Sequence, residues 1–192
     1  MNYFDLSDDV TIPERWHLGE IHDMHGIEPP ALFRQTRYEY SAPLVVDVGR
    51  RGRALDFSLT SFARPLASQP LAQAMAAVAG DDLQCLPIGI VGHPGALMFL
   101  HSTRIVRCLD ESRSEWTKWT PNDHRADLAG SYRQVIDLTL DVDQIPSDAH
   151  FFRVWGWEVA LIVSEVVKDV MESTGCLGAR FTSVMPSAVR AN

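Results

Sequence analysis

The alternation of apolar and polar residues is clearest over Phe151 to Lys168, FFRVWGWEVALIVSEVVK. Phe152, Val154 and Trp157 are bulky strand formers around Gly156, which permits a bend or a close backbone approach. Val159 to Val163 is an unbroken apolar run of buried-strand length. From Ser164 the period becomes helical, with Val166, Val167, Val170 and Met171 on one apolar stripe. Ser164 is a competent N-cap, and Glu165 puts a carboxylate in the first turn, where the helix dipole favours it. Gly175 or Gly178 can end this helix, and Ala179 to Val184 reads as a returning strand.

The rest of the chain is read in the same way. Asn2 to Leu6 is expected as an edge strand, and Leu44 to Val48 as a buried one. Ala54 to Leu66 is an apolar-alternating stretch. Ser68 then opens a second helix with Pro70 in its first turn and an alanine-rich body to Ala79. Gly80-Asp81-Asp82 closes it before a strand from Leu83 to Val91. Gly92-His93-Pro94-Gly95 reads as a tight turn into Ala96 to Ser102. Arg104 to Leu109, Glu115 to Thr120 and Val135 to Val142 complete the alternating segments. Strands outnumber helices. The expectation is an α+β fold with a mixed, mainly antiparallel sheet and two main helices, at about 68–79 and 164–174.

An echo joins the two helices. An offset of 96 residues aligns Ser68 with Ser164, Leu71 with Val167 and Met75 with Met171. Coincidence between two generic strand–helix–strand units is the simpler account. If the echo is real, the single domain of 1–192 divides into related sub-lobes, 1–110 and 134–192.

Composition narrows the class. An apolar fraction of 46% suits a folded core, and no apolar run approaches the length of a membrane span. Three isolated cysteines, Cys85, Cys108 and Cys176, suit a reducing cytoplasm better than a disulfide framework. Met1 to Val10 holds three aspartates and no basic residue, unlike a secretory signal. The net charge of −8 is unevenly spread: residues 1–30 carry seven acids against Arg15, and 31–64 is net basic. Residues 134–192 carry eight acids against four bases. Acidic ends argue against nucleic acid and fit a cationic protein partner, although solubility alone explains many acidic proteins.

Candidate chemistry is sparse. His17, Glu20, His22, Asp23 and His25 fall close together, but in a stretch read as a solvated loop with no completed zinc pattern, so no metal and no cofactor is expected. His101 reads as a structural imidazole. Asp141 and Asp143 could share a strand face as paired carboxylates, but before Pro146 they read better as turn formers. Trp155 and Trp157, on one continuous strand, would form a paired aromatic platform, with burial in the core favoured over contact with a partner. Trp116 and Trp119 look more exposed. The candidate partner-binding residues are Trp155, Trp157, Trp116, Trp119, Asp23, Glu28, Asp141 and Asp143, and there is no catalytic candidate.

The W-G-W element with its strand and Ser-Glu-opened helix resembles bacterial immunity-protein family eleven, whose members accompany polymorphic toxins. The opening MNYFDLSDD with Trp16-His17-Leu18-Gly19, the segment Leu55 to Leu59 and the segment Ile105 to Asp110 resemble a myxobacterial-type branch of it. The family's W-x-W feature falls on Trp155 and Trp157. The resemblance implies a cytoplasmic, non-catalytic antidote that binds and occludes a cognate toxin encoded by an adjacent gene. Two other classes stay open at this point: a small metal-dependent enzyme using the His17–His25 segment, and a regulatory protein-binding module.

Overall fold

The computed structural model describes residues 1–23, 25, 36–39 and 42–185. Its strands are β1 (Tyr3–Asp8), β2 (His17–Asp23), β3 (Leu44–Arg50), β4 (Phe57–Leu59) and β5 (Pro65–Ala67). Helix α1 (Gln69–Ala79) leads to β6 (Leu83–Ile90), β7 (His93–Ser102), β8 (Ile105–Val106), β9 (Trp116–Lys118) and β10 (Tyr132–Val135). The chain continues through β11 (Phe151–Val154), β12 (Trp157–Ser164), α2 (Glu165–Ser173) and β13 (Ala179–Ser183). The fold is α+β: two helices with mixed, mostly antiparallel sheets, one of them curled into a half-barrel.

The sheets run β2-β3-β6-β7-β5-β4, β13-β1-β12-β11-β8 and β9-β10. Among the described strands, β3 with β6 and β8 with β11 pair in parallel, and an isolated parallel bridge joins Arg15 to Arg53. Each helix joins two strands that run the same way with one antiparallel strand between them. For α1 these are β5 and β6 around β7. For α2 they are β12 and β13 around β1. The inserted strand comes from the following hairpin in one case and from the start of the chain in the other. The two helices face each other, so Leu71 and Met75 share one buried cluster with Val167 and Met171.

That arrangement buries both faces of the sheet where β11 meets the second half of β12. Phe151, Leu161 and Val163 enter the helix-side cluster, whereas Phe152, Val154, Ala160 and Ile162 enter a separate cluster with Tyr3, Val106 and Leu140. A strand buried on two faces has no polar alternation, which is why 160–163 reads as continuous apolar sequence. The six-stranded sheet closes over a third cluster around Trp16, Val46, Ile88 and Phe99.

Both serines begin their helices, by different means. Ser164 is fully buried; its Oγ accepts from Val167 N at 3.4 Å and lies 2.9 Å from His150 Nδ1. Ser68 uses only its backbone, its carbonyl accepting from Ala72 N at 2.9 Å. Ser164→Ala is therefore expected to cost about 1–2 kcal/mol and Ser68→Ala within about 0.5 kcal/mol. Equal losses in chemical denaturation would contradict this difference.

Several expectations change. β1 is an interior strand, paired on both sides, not an edge. The reversal after β6 is tighter than four residues: Gly92 takes a φ of +71°, and β7 already starts at His93. Ala54 to Leu66 splits into the β4–β5 hairpin, and β10 ends where the Val135 segment was expected to begin. Val166 stays exposed, leaving Val167 and Met171 as the buried stripe of α2. The His17–His25 segment is not a solvated loop, since most of it forms β2 with Leu18 and Ile21 buried.

Candidate functional site

Trp155 and Trp157 do not lie on one continuous strand. Val154 pairs with Trp157, so Trp155 and Gly156 form the two-residue reversal between β11 and β12. Gly156 has a φ of +78°, and a Cβ there would stand 3.3 Å from the Tyr132 ring. Glycine thus serves both the turn and the close approach of the β9–β10 ribbon. Tyr132 N donates to Gly156 O at 3.0 Å, fastening the ribbon to the hairpin.

This junction gathers four of the five tryptophans. Trp155 is 40% exposed and so is not a core anchor, which corrects the favoured reading for that residue. Trp157 is half-buried and packs beside the Tyr3 cluster. Trp116 and Trp119 are also half-buried, on the ribbon and just beyond it. On one side of Tyr132 opens a cleft of about 470 Å³ lined by Phe62, Ala63, Trp119, Leu128, Trp157 and Val159, within the size range of ligand sites. On the other side lies a hollow of about 260 Å³ lined by Arg107, Glu111, Lys118, Asp141 and Trp155.

Cations cap the aromatic rings. The Arg107 guanidinium carbon is 3.5 Å from the centre of the Trp155 ring. Lys118 Nζ is 4.8 Å from both Trp116 and Tyr132, and Arg133 is 4.9 Å from Trp119. Glu111 draws this set together, pairing with Lys118 and accepting from the Tyr132 hydroxyl at 2.6 Å. Those two hydrogen bonds hold the Glu111 carboxyl below its usual range. Burial first, and then Glu111, pushes the Tyr132 phenol well above its ordinary value.

The far wall of the cleft is held by a charge the sequence did not flag. Arg153, on β11, is buried and donates to Ala63 O at 2.9 Å and Val159 O at 3.0 Å. It ties the 61–63 segment to β12 and sets Phe62, 55% exposed, at the cleft. Burial lowers the Arg153 guanidinium to about 10, still protonated at neutral pH. Nearby Asp5 has its carboxyl raised by burial, an effect the Arg153 charge partly opposes.

The remaining candidates divide. Asp141 lines the smaller hollow, and its carboxylate accepts from Asp143 N at 3.2 Å while capping a short 3₁₀ turn. These two aspartates form a turn and do not share a strand face. Asp23 ends β2, where its carboxylate accepts from His25 N at 2.7 Å, and it lines neither hollow. Glu28 lies outside the described residues. Tyr132, Phe62 and Arg107 were missed; the one signal for Phe62 was an apolar residue in the turn-forming stretch before Arg64-Pro65.

Burial pushes the thiols of Cys85 up to about 11 and of Cys108 and Cys176 up to about 12, far from nucleophilic thiolates at neutral pH. Buried His101 donates from Nε2 to Thr36 O at 2.8 Å, and burial lowers its pKa. Among the described residues no three His, Cys, Asp or Glu side chains converge as a metal-binding group. The model of the Immunity protein family (Imm11) matches residues 2–185, and the chain belongs to that family. Membership implies a non-catalytic protein that neutralises a cognate toxin. No curated protein matches the chain. Among the described residues no helix is long and apolar enough to cross a membrane.

Proposed function

We propose that the cognate toxin seats on the tryptophan junction and that the chain works by covering the toxin's active site. The observation that carries this reading is the concentration of exposed apolar side chains there. Phe62 and Val159 are each 55% exposed at the same cleft, with Trp155 beside it. Exposed apolar residues grouped in this way mark interaction surfaces, and tryptophan is enriched among residues that dominate binding energy.

Charge supports a basic toxin. Asp141 lines the smaller hollow and Asp137 and Asp143 are exposed close to it in sequence, whereas Asp148 is paired with Arg104. The acids near the start of the chain contribute less freely, because Asp8 pairs with Arg15 and Asp9 holds Thr11. Complementary fields speed encounter and are screened over about 8–10 Å near physiological salt. The setting is the cytoplasm, the toxin is the product of an adjacent gene, and the chain stands in a myxobacterial-type branch of the family.

The test is co-expression with the neighbouring toxin, together with binding of the purified pair. Protection and a one-to-one complex are expected, with an on-rate that slows as salt rises. Failure to bind or protect would remove the assignment of that toxin. A salt-independent on-rate would remove the electrostatic steering alone.

A further inference from the structure

Many of the basic residues described in this acidic chain are neutralised by a neighbouring carboxylate. Arg37, Arg104, Arg113, Arg125 and Arg133 each lie 3.5 Å or less from a carboxylate. Arg50, Arg51 and Arg53 are all exposed and, among the described residues, have no such partner. In the two segments that cross here, 14–16 and 50–54, Glu14 is the one carboxylate.

The backbone beneath these arginines is fixed. Arg53 N donates to Glu14 O at 2.7 Å, and Trp16 N donates to Arg53 O at 3.1 Å. A Cβ on Gly52 would come within 2.4 Å of Glu14 O, so only glycine allows the segments to press together. Beside them is a hollow of about 180 Å³ lined by Trp16, Val48, Arg51, Ala54, Val91 and His93. Trp16 is anchored by donating to Ser58 Oγ at 2.9 Å. His93 stands edge-on to Trp16, and its Nδ1 accepts from Gly95 N at 3.0 Å, which leaves the proton on Nε2. Val91, 49% exposed, completes an apolar wall. An apolar cavity of about 150 Å³ is enough to take a benzene ring.

We infer that the Arg50–Arg53 corner is a second docking surface, for an acidic segment of a protein partner that places one apolar side chain in the Trp16–His93 hollow. The guanidiniums supply forked donors to flanking carboxylates, and the hollow supplies the apolar seat between them. Three arginines within four residues are too small a footprint for a duplex, whose binding engages many phosphates. This surface stands apart from the tryptophan junction and does not depend on the toxin reading.

The probe is a fluorescent heptapeptide, Glu-Asp-Glu-Phe-Glu-Asp-Glu, titrated against the full chain by anisotropy. Binding is expected, weakening as salt rises from about 50 to about 300 mM. Replacing the central Phe by Gly is expected to weaken it about tenfold, because one buried side chain is lost. The Arg50→Glu/Arg51→Glu/Arg53→Glu variant should lose at least about tenfold. An Arg113→Glu/Arg125→Glu/Arg180→Glu variant, with the same net charge, should bind as the wild type does. Thermal melts of both variants establish that each is folded. No binding to the wild type, equal loss in both variants, or indifference to the central Phe would overturn the proposal. Tighter binding of a short DNA duplex than of the peptide would also overturn it, assigning the corner to nucleic acid.

Discussion

Replacing Phe62 and Trp119 together by alanine is expected to weaken toxin binding by about a hundredfold or more, with little change in melting temperature. The two side chains line the same cleft, Phe62 standing largely in solvent and Trp119 half-buried. Truncating an aromatic anchor in an interface costs about 2 kcal/mol or more, and each 1.4 kcal/mol is about tenfold in affinity. The stability cost is small because neither residue belongs to the buried clusters. The comparison is Val166→Ala/Leu177→Ala, which removes exposed apolar side chains that line neither hollow. That variant should bind normally. Normal binding by the first pair in calorimetry would move the contact surface away from the tryptophan junction.

The second large effect is expected at Arg153, as a loss of stability. Arg153→Ala leaves the carbonyls of Ala63 and Val159 without their donor and removes a positive charge near Asp5. Breaking such a buried charged network costs about 3–5 kcal/mol. At about 2–4 °C per kcal/mol for a chain of this size, melting should fall by roughly 6–20 °C. The pH dependence has a definite sign. Asp5 already titrates above its unfolded value, and without Arg153 it should do so more strongly. A carboxyl of that kind binds its proton more readily in the folded state, so the deficit should narrow as pH falls toward the carboxylate range. A loss below about 1 kcal/mol would show that the 61–63 segment is held by other contacts.

Local signals located both helices well, because capping and apolar spacing act within one or two turns. Strand context was less legible. Whether β1 is an edge or an interior strand is decided by Ser164 and Ser183, which pair with Tyr3 and Phe4 across the length of the chain. β2 escaped notice because its register shifts between Leu18 and Ile21, which breaks the two-residue alternation. Gly156 was recognised as a bend, but its full reversal depends on Tyr132 arriving from another sheet. The tryptophans were individually conspicuous. Their gathering around Tyr132, and the use of Arg153 to place Phe62, arise from tertiary contacts that no local pattern records.

The interior place of β1 bears on the timing of synthesis. Its two neighbours, β12 and β13, are among the last elements translated, and the Tyr3–Ser164 pairing spans nearly the whole chain. At about 5–20 residues per second, β1 waits roughly 8–30 seconds on the ribosome before a partner strand exists. The hairpin that presents Trp155 and Trp157 belongs to that same late sheet. A nascent chain that ends before β12 thus carries Phe62, Trp116 and Trp119 but lacks the hairpin that presents Trp155 and Trp157 and the strand that makes β1 interior.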